Sequence, residues 1–410
     1  MKLKKNTSSN FFNFKIFLIF YSIGLIAETI YLPAIPQIAS YLECQMNQLQ
    51  AMMGYFFLAY GVSMAFYGPI ADLFGRATTL SIGITLSLAG ALFSCFASNL
   101  EMLSAGIITM GLGLGSAGML CRTLARDLFD GQYLLKAFSY VSVSFVIAPI
   151  MAPILGGLLI KYFIWQSAFF TVFVLLVISA ILLKKYFKET VLPSTINSQY
   201  FLKGYYSIFS NKKYIGLLLI GLMSSGILMA YESASALIYQ SFYGFSPLGH
   251  ALCAAIPTIG TIIGSYLLLI LKNKYSLIEL LIQASFFCII VSFCIYALPL
   301  FSLLNIYFLI LLLSLLFVLM GIIFSLTTAE AMKSADARFI GLAASTMGGV
   351  HNIGIGFFIK SLVAFSPINL SDIGLFMTIA SLIPLFLILI FRKSILYDNQ
   401  DIRYSEEIKL

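Results

Sequence analysis

The sequence predicts an all-α membrane protein with twelve transmembrane helices. Of its 410 residues, 60% are apolar and only 10% are charged, and the mean hydropathy is +1.00. Soluble globular domains carry about 25% charged residues, so this composition is typical of a chain embedded in a bilayer. Long, continuous apolar runs favour spanning helices, because a helix satisfies its backbone hydrogen bonds within one segment.

The number of spans follows from the lengths of the apolar runs. A transmembrane helix needs about 20 predominantly apolar residues. The sequence contains twelve runs that meet this requirement, at residues 14–38, 47–71, 77–97, 101–121, 136–160, 164–186, 213–240, 247–271, 276–298, 303–332, 340–363 and 370–391.

The basic residues predict the orientation of these spans. An even number of spans puts both termini on one side of the membrane. Of the 24 lysines and arginines, all but Lys161 and Lys360 then fall on the side of the N-terminus. Basic residues concentrate in cytoplasmic loops, so we expect both termini to be cytoplasmic. The net charge of +8 is thereby explained by topology and does not indicate a partner nucleic acid.

The longest polar interruption, residues 187–212, divides the twelve predicted spans into six and six. Such a division is typical of two parallel repeats related by an axis along the membrane normal. We therefore expect an N-terminal six-helix bundle at 1–186, a cytoplasmic linker at 187–212, a C-terminal six-helix bundle at 213–393 and a cytoplasmic tail at 394–410.

Two glutamates lie inside apolar runs and are candidates for proton and substrate coupling. Glu28 is near the middle of the first predicted span, and Glu232 is past the middle of the seventh, its counterpart in the second half. A carboxyl group costs several kcal/mol or more at that depth, which makes a functional role the default hypothesis. Burial favours its neutral form, so it can hold a proton and release it when water or a cation arrives. The alternative is a neutral glutamate that hydrogen-bonds a neighbouring helix for structural reasons.

A third such residue, Glu330, lies close to Lys333, Asp336 and Arg338. For Glu330 we therefore favour a surface network at the cytoplasmic exit of its span over a coupling role.

A second candidate site lies between the second and third predicted spans, at Gly68, Asp72, Gly75 and Arg76. The glycines permit a tight turn or the close approach of another helix. Asp72 and Arg76 are four residues apart and share a face if the helix continues that far. An acidic group there can also cap a neighbouring helix. We interpret the segment as a gating latch, and the alternative is a solvated turn with a surface ion pair.

The fifth predicted span combines Pro149 and Pro153 with Gly156 and Gly157. Proline removes a backbone donor and bends a helix, while small residues allow close packing. We expect a bent helix that slides or rocks against a partner, with an ordinary packing kink as the alternative.

Catalytic, cofactor and metal sites are not indicated by the sequence. The two histidines and six cysteines lack the spacing of a metal or redox centre. The run Gly111, Gly113 and Gly115 lies in an apolar segment with no preceding strand, so it predicts close helix packing and not a nucleotide loop. No constellation of catalytic residues stands out, so we do not expect an enzyme or a bound cofactor.

Taken together, these motifs resemble the major facilitator superfamily over nearly the whole chain. The segment from Gly68 to Arg76 is similar to the superfamily signature between helices two and three. Further segments resemble the Bcr/CflA, or bicyclomycin resistance, branch of the twelve-helix drug:proton antiporters, namely residues 31–36 (YLPAIP), 122–127 (RTLARD), 148–157 (APIMAPILGG), Trp165, 233–235 (SAS) and 243–247 (YGFSP).

The resemblance implies a fold of two six-helix bundles that alternate access to a central cavity in a bacterial inner membrane. It implies multidrug efflux, in which inward proton flow drives export of small organic compounds by a monomer embedded in the lipid bilayer. It further implies that Asp72 and Arg76 help close the cytoplasmic side, next to the exit of helix four at Arg122, Arg126 and Asp127.

The chain departs from the branch at two places that matter for proton coupling. Ile107 and Met110 occupy the positions where the branch carries an arginine and a glutamine in helix four. Thr29 occupies the position of the branch's helix-one aspartate, with Glu28 adjacent and about 100° away around the helix. These departures leave open an alternative function, a carrier for one metabolite such as an amino acid, nucleoside or siderophore, importing or exporting, with or without proton coupling.

Overall fold

The computed structural model describes residues 8–187, 189–190, 198–301, 305–365 and 369–407. Residues 188, 191–197 and 408–410, which belong to the predicted linker and tail, lie outside the described residues. The described residues form fourteen α-helices, α1 Ser8–Ala27, α2 Ile35–Tyr41, α3 Met46–Phe74, α4 Arg76–Cys95, α5 Leu100–Leu128, α6 Gly131–Tyr162, α7 Gln166–Tyr186, α8 Ser198–Ser210, α9 Lys212–Ala236, α10 Pro247–Leu271, α11 Leu277–Ala297, α12 Ile306–Ser334, α13 Ile340–Phe365 and α14 Leu370–Glu407.

The prediction of twelve transmembrane helices is confirmed. Within the described part of the chain, twelve helical segments are long and apolar enough to cross a bilayer, and each overlaps one predicted run. The fourth span reaches Leu128 instead of 121, which places the predicted helix-four exit on the helix itself. The last helix, α14, continues beyond the predicted end of its span to Glu407.

The first span, Asn10–Tyr41, is interrupted in its second half. Regular helix ends at Ala27, a 3₁₀ turn occupies Leu32–Ala34, and α2 then completes the span. Pro33 and Pro36 account for the interruption, because neither carries a backbone N–H for the bond to the preceding turn.

The seventh span, Lys212–Phe242, also changes its helical geometry, near its end. At Leu237 it passes from α9 into a π-helical turn that ends at Phe242. Turns of this kind are often found at functional sites. The spans that carry Glu28 and Glu232 are therefore both irregular within about a turn of the glutamate.

Close packing by glycine holds α3, α4 and α5 together, as the sequence predicts. A Cβ added at Gly111 would lie 2.7 Å from the carbonyl oxygen of Phe56 on α3, and one at Gly115 would meet Tyr60. Gly113, between them, faces α4 at Gly83. The glycine run thus lets α5 approach one helix on each side, which is a packing role.

The chain forms two compact units. The first comprises Met1–Asn197, Glu232–Ala255 and Ala344–Ser366. Within it α13 approaches α3 closely, since a Cβ on Gly61 would lie 2.7 Å from the carbonyl oxygen of Gly349.

The second unit comprises Ser198–Tyr231, Ile256–Ala343 and Pro367–Leu410. Within it α10 and α12 pack through Gly264 and Gly321, and Ser292 on α11 lies 3.2 Å from Ser381 on α14. The predicted division into bundles at 1–186 and 213–393 stays a prediction.

Candidate functional site

Glu28 lies where the first span loses its regular helix. Immediately after it, the backbone amides of Thr29 and Ile30 both donate to the carbonyl oxygen of Ile26, at 3.2 and 3.0 Å. The Glu28 side chain is buried, with 7% of its surface exposed. Beside it, the hydroxyl groups of Thr29 and Tyr31 are buried without a hydrogen-bond partner among the described residues. The break therefore gathers polar groups that remain available to a ligand.

The structure brings Glu232 to Glu28, although the two are far apart in sequence. Both belong to the first compact unit, and their carboxyl groups are close enough to interact electrostatically. Glu232 is also 7% exposed. Two carboxylates that share a buried site cannot both ionise cheaply, so such a pair is suited to holding a proton or a cation.

Two buried tyrosines extend this group towards Arg122. Tyr21 and Tyr60 each interact electrostatically with Glu28 and with the Arg122 guanidinium. Arg122 itself donates a hydrogen bond of 3.1 Å to the carbonyl oxygen of Ala344. The sequence alone did not connect the helix-four exit with the glutamates, because the contacts join residues about a hundred positions apart.

At the two positions where the branch carries an arginine and a glutamine in helix four, which is α5 here, the side chains are apolar and shielded from solvent. Ile107 and Met110 are both fully buried. Gly90 on α4 packs directly against the backbone of Met110. No charged group of α5 therefore stands at this level among the described residues.

The predicted latch is an ion-pair network around Arg76. The guanidinium donates to Asp72 at 2.6 Å and to Asp127 at 3.3 Å. The Arg76 side chain is 8% exposed, while the Asp72 and Asp127 side chains are 31% and 19% exposed. Asp72 and Arg76 therefore pair, but not along one continuous helix, since α3 ends at Phe74 and α4 begins at Arg76 after the turn at Gly75. The nearly complete burial of Arg76 means that this is not a solvated surface pair.

Glu189, which the sequence analysis did not single out, completes the latch. Its carboxylate accepts hydrogen bonds from the backbone amides of Arg76 at 2.9 Å and Ala77 at 3.0 Å. The first amides of a helix have no partner within it, and a carboxylate at this end is stabilised by the helix dipole. Glu189, and not Asp72, thus caps α4. Neighbouring Thr190 donates to Asp127 at 3.3 Å and ties the same segment to α5.

The two latch glycines have different surroundings. Gly75 has φ +90°, and an added Cβ would overlap the Glu189 carboxylate. Gly68 lies inside α3, and nothing lies within 4 Å of an added Cβ. The expectation that Gly68 forms a tight turn or admits a close helix is therefore wrong. The helix runs on through Pro69 to Phe74, so the turn is confined to Gly75.

The fifth-span motif brings α6 to the break in the first span. The helix continues from Gly131 to Tyr162 through both Pro149 and Pro153. A Cβ on Gly156 would overlap the carbonyl oxygen of Ile30, and one on Gly157 would lie 2.9 Å from the Cα of Leu248 on α10. The predicted close packing is thus present, with the broken first span and the start of α10 as partners.

At the remaining predicted sites the structure also supplies partners. Arg126 is half-buried near Arg122 and Asp127 at the end of α5. Glu330 pairs with Lys333 at 2.5 Å, and Asp336 pairs with Arg338 at 2.6 Å. Hydrogen bonds from Arg338 hold the pKa of Asp336 below its usual value. Near the end of α12, Glu330 thus has a local ion-pair partner, separate from the Asp336–Arg338 pair. Its assignment to a surface network stays a prediction.

A sequence model of the Major Facilitator Superfamily matches residues 17–359. The chain belongs to this superfamily. Its members are transporters that handle small molecules in membranes, so the twelve spans are those of a multi-pass membrane protein.

Among characterised relatives, Multidrug resistance protein D of Escherichia coli is 28% identical over 363 residues, covering 88% of this chain and 91% of its own. A Bicyclomycin resistance protein homolog of Haemophilus influenzae is 28% identical over 221 residues, covering 52% of this chain and 54% of its own. The resemblance of this major facilitator protein to the Bcr/CflA branch is thereby confirmed.

Solved structures agree on the major facilitator fold. A POT family transporter in complex with 5-aminolevulinic acid has a TM-score of 0.74 at 13% identity, covering 94% of this chain and 96% of its own. A D-xylose-proton symporter has a TM-score of 0.65 at 15% identity, covering 91% and 97%. At this identity the similarity concerns the fold alone.

Proposed function

We propose that the protein is a proton-coupled exporter of small amphipathic organic compounds, working by alternating access in a bacterial inner membrane with both termini cytoplasmic. The observation that carries the proposal is the pair Glu28 and Glu232. These are two buried carboxyl groups that interact electrostatically, and Glu28 lies where the first span loses its regular helix. Titratable residues at such positions are expensive in a membrane and are typical of proton relays. The names of the multidrug and bicyclomycin resistance relatives agree with export of this substrate class.

The cycle follows from competition for the carboxyl pair. When the cavity faces the cytoplasm, loss of a proton leaves a negative charge that attracts a cationic or polar substrate. When it faces outwards, protonation removes that charge and releases the substrate. The unpartnered hydroxyl groups of Thr29 and Tyr31 are placed to bond water or a polar substrate group during this exchange.

Closure of the cytoplasmic side is assigned to the latch of Asp72, Gly75 and Arg76 with Asp127 and Glu189. Four of these are charged groups from three segments of the first unit, and they meet at the turn between α3 and α4. An ion-pair network of this kind has two discrete arrangements, formed or broken. It can therefore act as a gate that is closed when the ion pairs are formed and open when they are broken. We assign the rocking element to α6, whose Gly156 and Gly157 contact the broken span and α10.

One observation favours a second candidate, a carrier for a single metabolite without proton coupling. The closed apolar environment of Ile107 and Met110 offers no charge where the branch has its helix-four arginine. Under the first proposal we infer that Arg122, which interacts with Tyr21 and Tyr60, supplies the positive charge instead.

Flux into proteoliposomes separates the two candidates. Purified protein would be reconstituted, a pH difference imposed, and uptake of tetraphenylphosphonium, chloramphenicol, a nucleoside and an amino acid compared with empty vesicles. The exporter proposal predicts pH-driven accumulation of the first two compounds and their mutual competition. Accumulation of only one metabolite, unchanged when the pH difference is removed, would establish the second candidate.

A further inference from the structure

His250, in the first turn of α10, is a buried histidine to which the transport proposal gives no role. Its ring is fully buried. Its Nε2 lies 2.9 Å from the hydroxyl oxygen of Ser235, and its Nδ1 lies 3.3 Å from the amide nitrogen of Gln240. Both partners belong to the end of the seventh span, Gln240 to its π-helical turn.

The hydrogen bonds fix the protonation state of this ring. The Gln240 amide nitrogen also donates to the carbonyl oxygen of Pro33, at 3.0 Å. A carbonyl oxygen can only accept, so the side chain must present its NH₂ group to both Pro33 and the ring. Nδ1 therefore accepts, and Nε2 carries the hydrogen and donates to Ser235. The Ser235 hydroxyl in turn donates to the carbonyl oxygen of Glu232, at 2.7 Å.

The network lies at the end of the first unit that is remote from the latch. Ser241, next to Gln240, contacts the sulfur of Met46 at the start of α3, whereas the latch follows Phe74 at its end. An α-helix of 29 residues is about 40 Å long. Gly157 of α6 packs against Leu248, two residues before His250, so the proposed rocking helix contacts the turn of α10 that carries the ring.

The elements packed around the ring carry three titratable groups. The Tyr239 ring, on the π-helical turn, lies with its centroid 5.9 Å from that of His250. Glu232 is three residues before Ser235 on α9, and Glu28 is five residues before Pro33 on the first span. The first of these packs on the imidazole, and the other two are the proposed coupling pair.

We propose that Gln240 and His250 form a proton-sensitive clasp that holds the broken first span to the seventh span. A proton added to the Nδ1 lone pair converts that nitrogen into a donor, so two donors then face each other. Turning the Gln240 amide to accept from the ring places its oxygen against the Pro33 carbonyl oxygen. Protonation of His250 therefore breaks at least one of the two hydrogen bonds of Gln240, either the one to the ring or, if the amide turns, the one to Pro33.

This inference rests on the proposed function for its place in the cycle, in which the network lies on the outer side and a proton from there opens the clasp. The protein would then accept protons from outside in two steps, at His250 to open the outer end and at Glu28 and Glu232 to release substrate. The clasp itself requires only the hydrogen-bond geometry.

Amide hydrogen exchange of the full chain in lipid nanodiscs tests the clasp without a substrate. Exchange of residues 28–45 and 237–250 would be compared at about pH 8 and about pH 4, with exchange times scaled for the intrinsic rate. The lower value lies well below the usual titration of histidine, because the His250 ring is fully buried. We expect about two- to tenfold faster exchange at the lower pH, the factor for loss of one hydrogen bond. Residues 100–128 serve as an internal reference and should not respond.

Two variants and a matched control decide the assignment. His250→Asn keeps an acceptor near the Nδ1 position but cannot gain a proton, so exchange should stay slow at both pH values. Gln240→Leu removes the bridge and should exchange rapidly at both. His351→Asn, at the only other histidine in the sequence, should respond as the wild type does.

A wild type without a pH response, or a response that survives in His250→Asn, would overturn the proposal. Failure of export in proteoliposomes would leave this result unaffected and would instead count against the proposed function.

Discussion

At the scale of single residues, the two latch glycines differ in whether a side chain could replace the glycine hydrogen. Gly75 combines φ +90° with direct contact to the Glu189 carboxylate, whereas Gly68 is an ordinary helical residue with open space beside it. A side chain at a backbone conformation that only glycine adopts readily costs about 1–3 kcal/mol. Replacing an exposed helical glycine by alanine stabilises by up to about 1 kcal/mol.

Gly75→Ala should therefore lower the temperature at which detergent-solubilised protein loses its monodisperse size-exclusion peak, and Gly68→Ala should leave it unchanged or raise it. Equal behaviour of the two variants would contradict the different roles assigned to these glycines.

Glu189 gives a second residue-level prediction, because it caps α4 from a distant part of the chain. Glu189→Ala leaves the amides of Arg76 and Ala77 without their acceptor and should cost about 1–2 kcal/mol. Amide exchange of residues 76–79 should then accelerate about five- to thirtyfold. Glu101→Ala is the control, since Glu101 is exposed in the first turn of α5, where Asn99 provides the cap. Unchanged exchange in Glu189→Ala would show that another group caps α4.

The sequence predicted the latch and the coupling pair more completely than their partners. The spacing of Asp72 and Arg76 indicated their pairing, and the cost of a buried carboxylate indicated Glu28 and Glu232. Glu189 was not predicted, because its partner Ala77 lies more than a hundred residues away. The link from His250 through Gln240 to Pro33 was not predicted either, because Gln240 and Pro33 are about two hundred residues apart. A single sequence gives no signal for such long-range contacts.

At the scale of elements, α6 is constrained by Gly156, whose missing side chain leaves room for the carbonyl oxygen of Ile30. Gly156→Ala should force the helix away from the broken first span at a cost of about 1–3 kcal/mol and reduce transport in proteoliposomes. Leu155→Ala is the matched control, because Leu155 is 39% exposed on the same helix. Transport by Gly156→Ala at the wild-type rate would remove this contact from the mechanism.

Hydropathy predicted the spanning elements well, since a bilayer imposes one length and one composition on every helix. It could not predict the interruption at Leu32–Ala34 or the π-helical turn at Leu237–Phe242, because hydropathy reports how apolar a segment is and not which backbone hydrogen bonds it forms. Pro33 and Pro36 did mark the first interruption. No comparable residue marks the second, which depends on packing within the first unit.

At the scale of the whole molecule, membership of the major facilitator superfamily establishes a transporter fold, while the proton-coupled step stays a proposal. That step depends on Glu28 and Glu232 being close together in the membrane. The two-bundle division and the cytoplasmic termini are further proposals on which the direction of transport depends.

The most direct measurement uses proteoliposomes that contain the Glu28→Gln variant. It compares the accumulation of tetraphenylphosphonium driven by a pH difference with the exchange of labelled for unlabelled compound. If the wild type exchanges one tetraphenylphosphonium ion for one proton, a pH difference of one unit supports about a tenfold accumulation of the compound. We predict that Glu28→Gln still exchanges labelled for unlabelled compound across the vesicle membrane but accumulates none, whereas Glu330→Gln, at the peripheral pair with Lys333, behaves as the wild type. Accumulation by Glu28→Gln at the wild-type level would contradict the account.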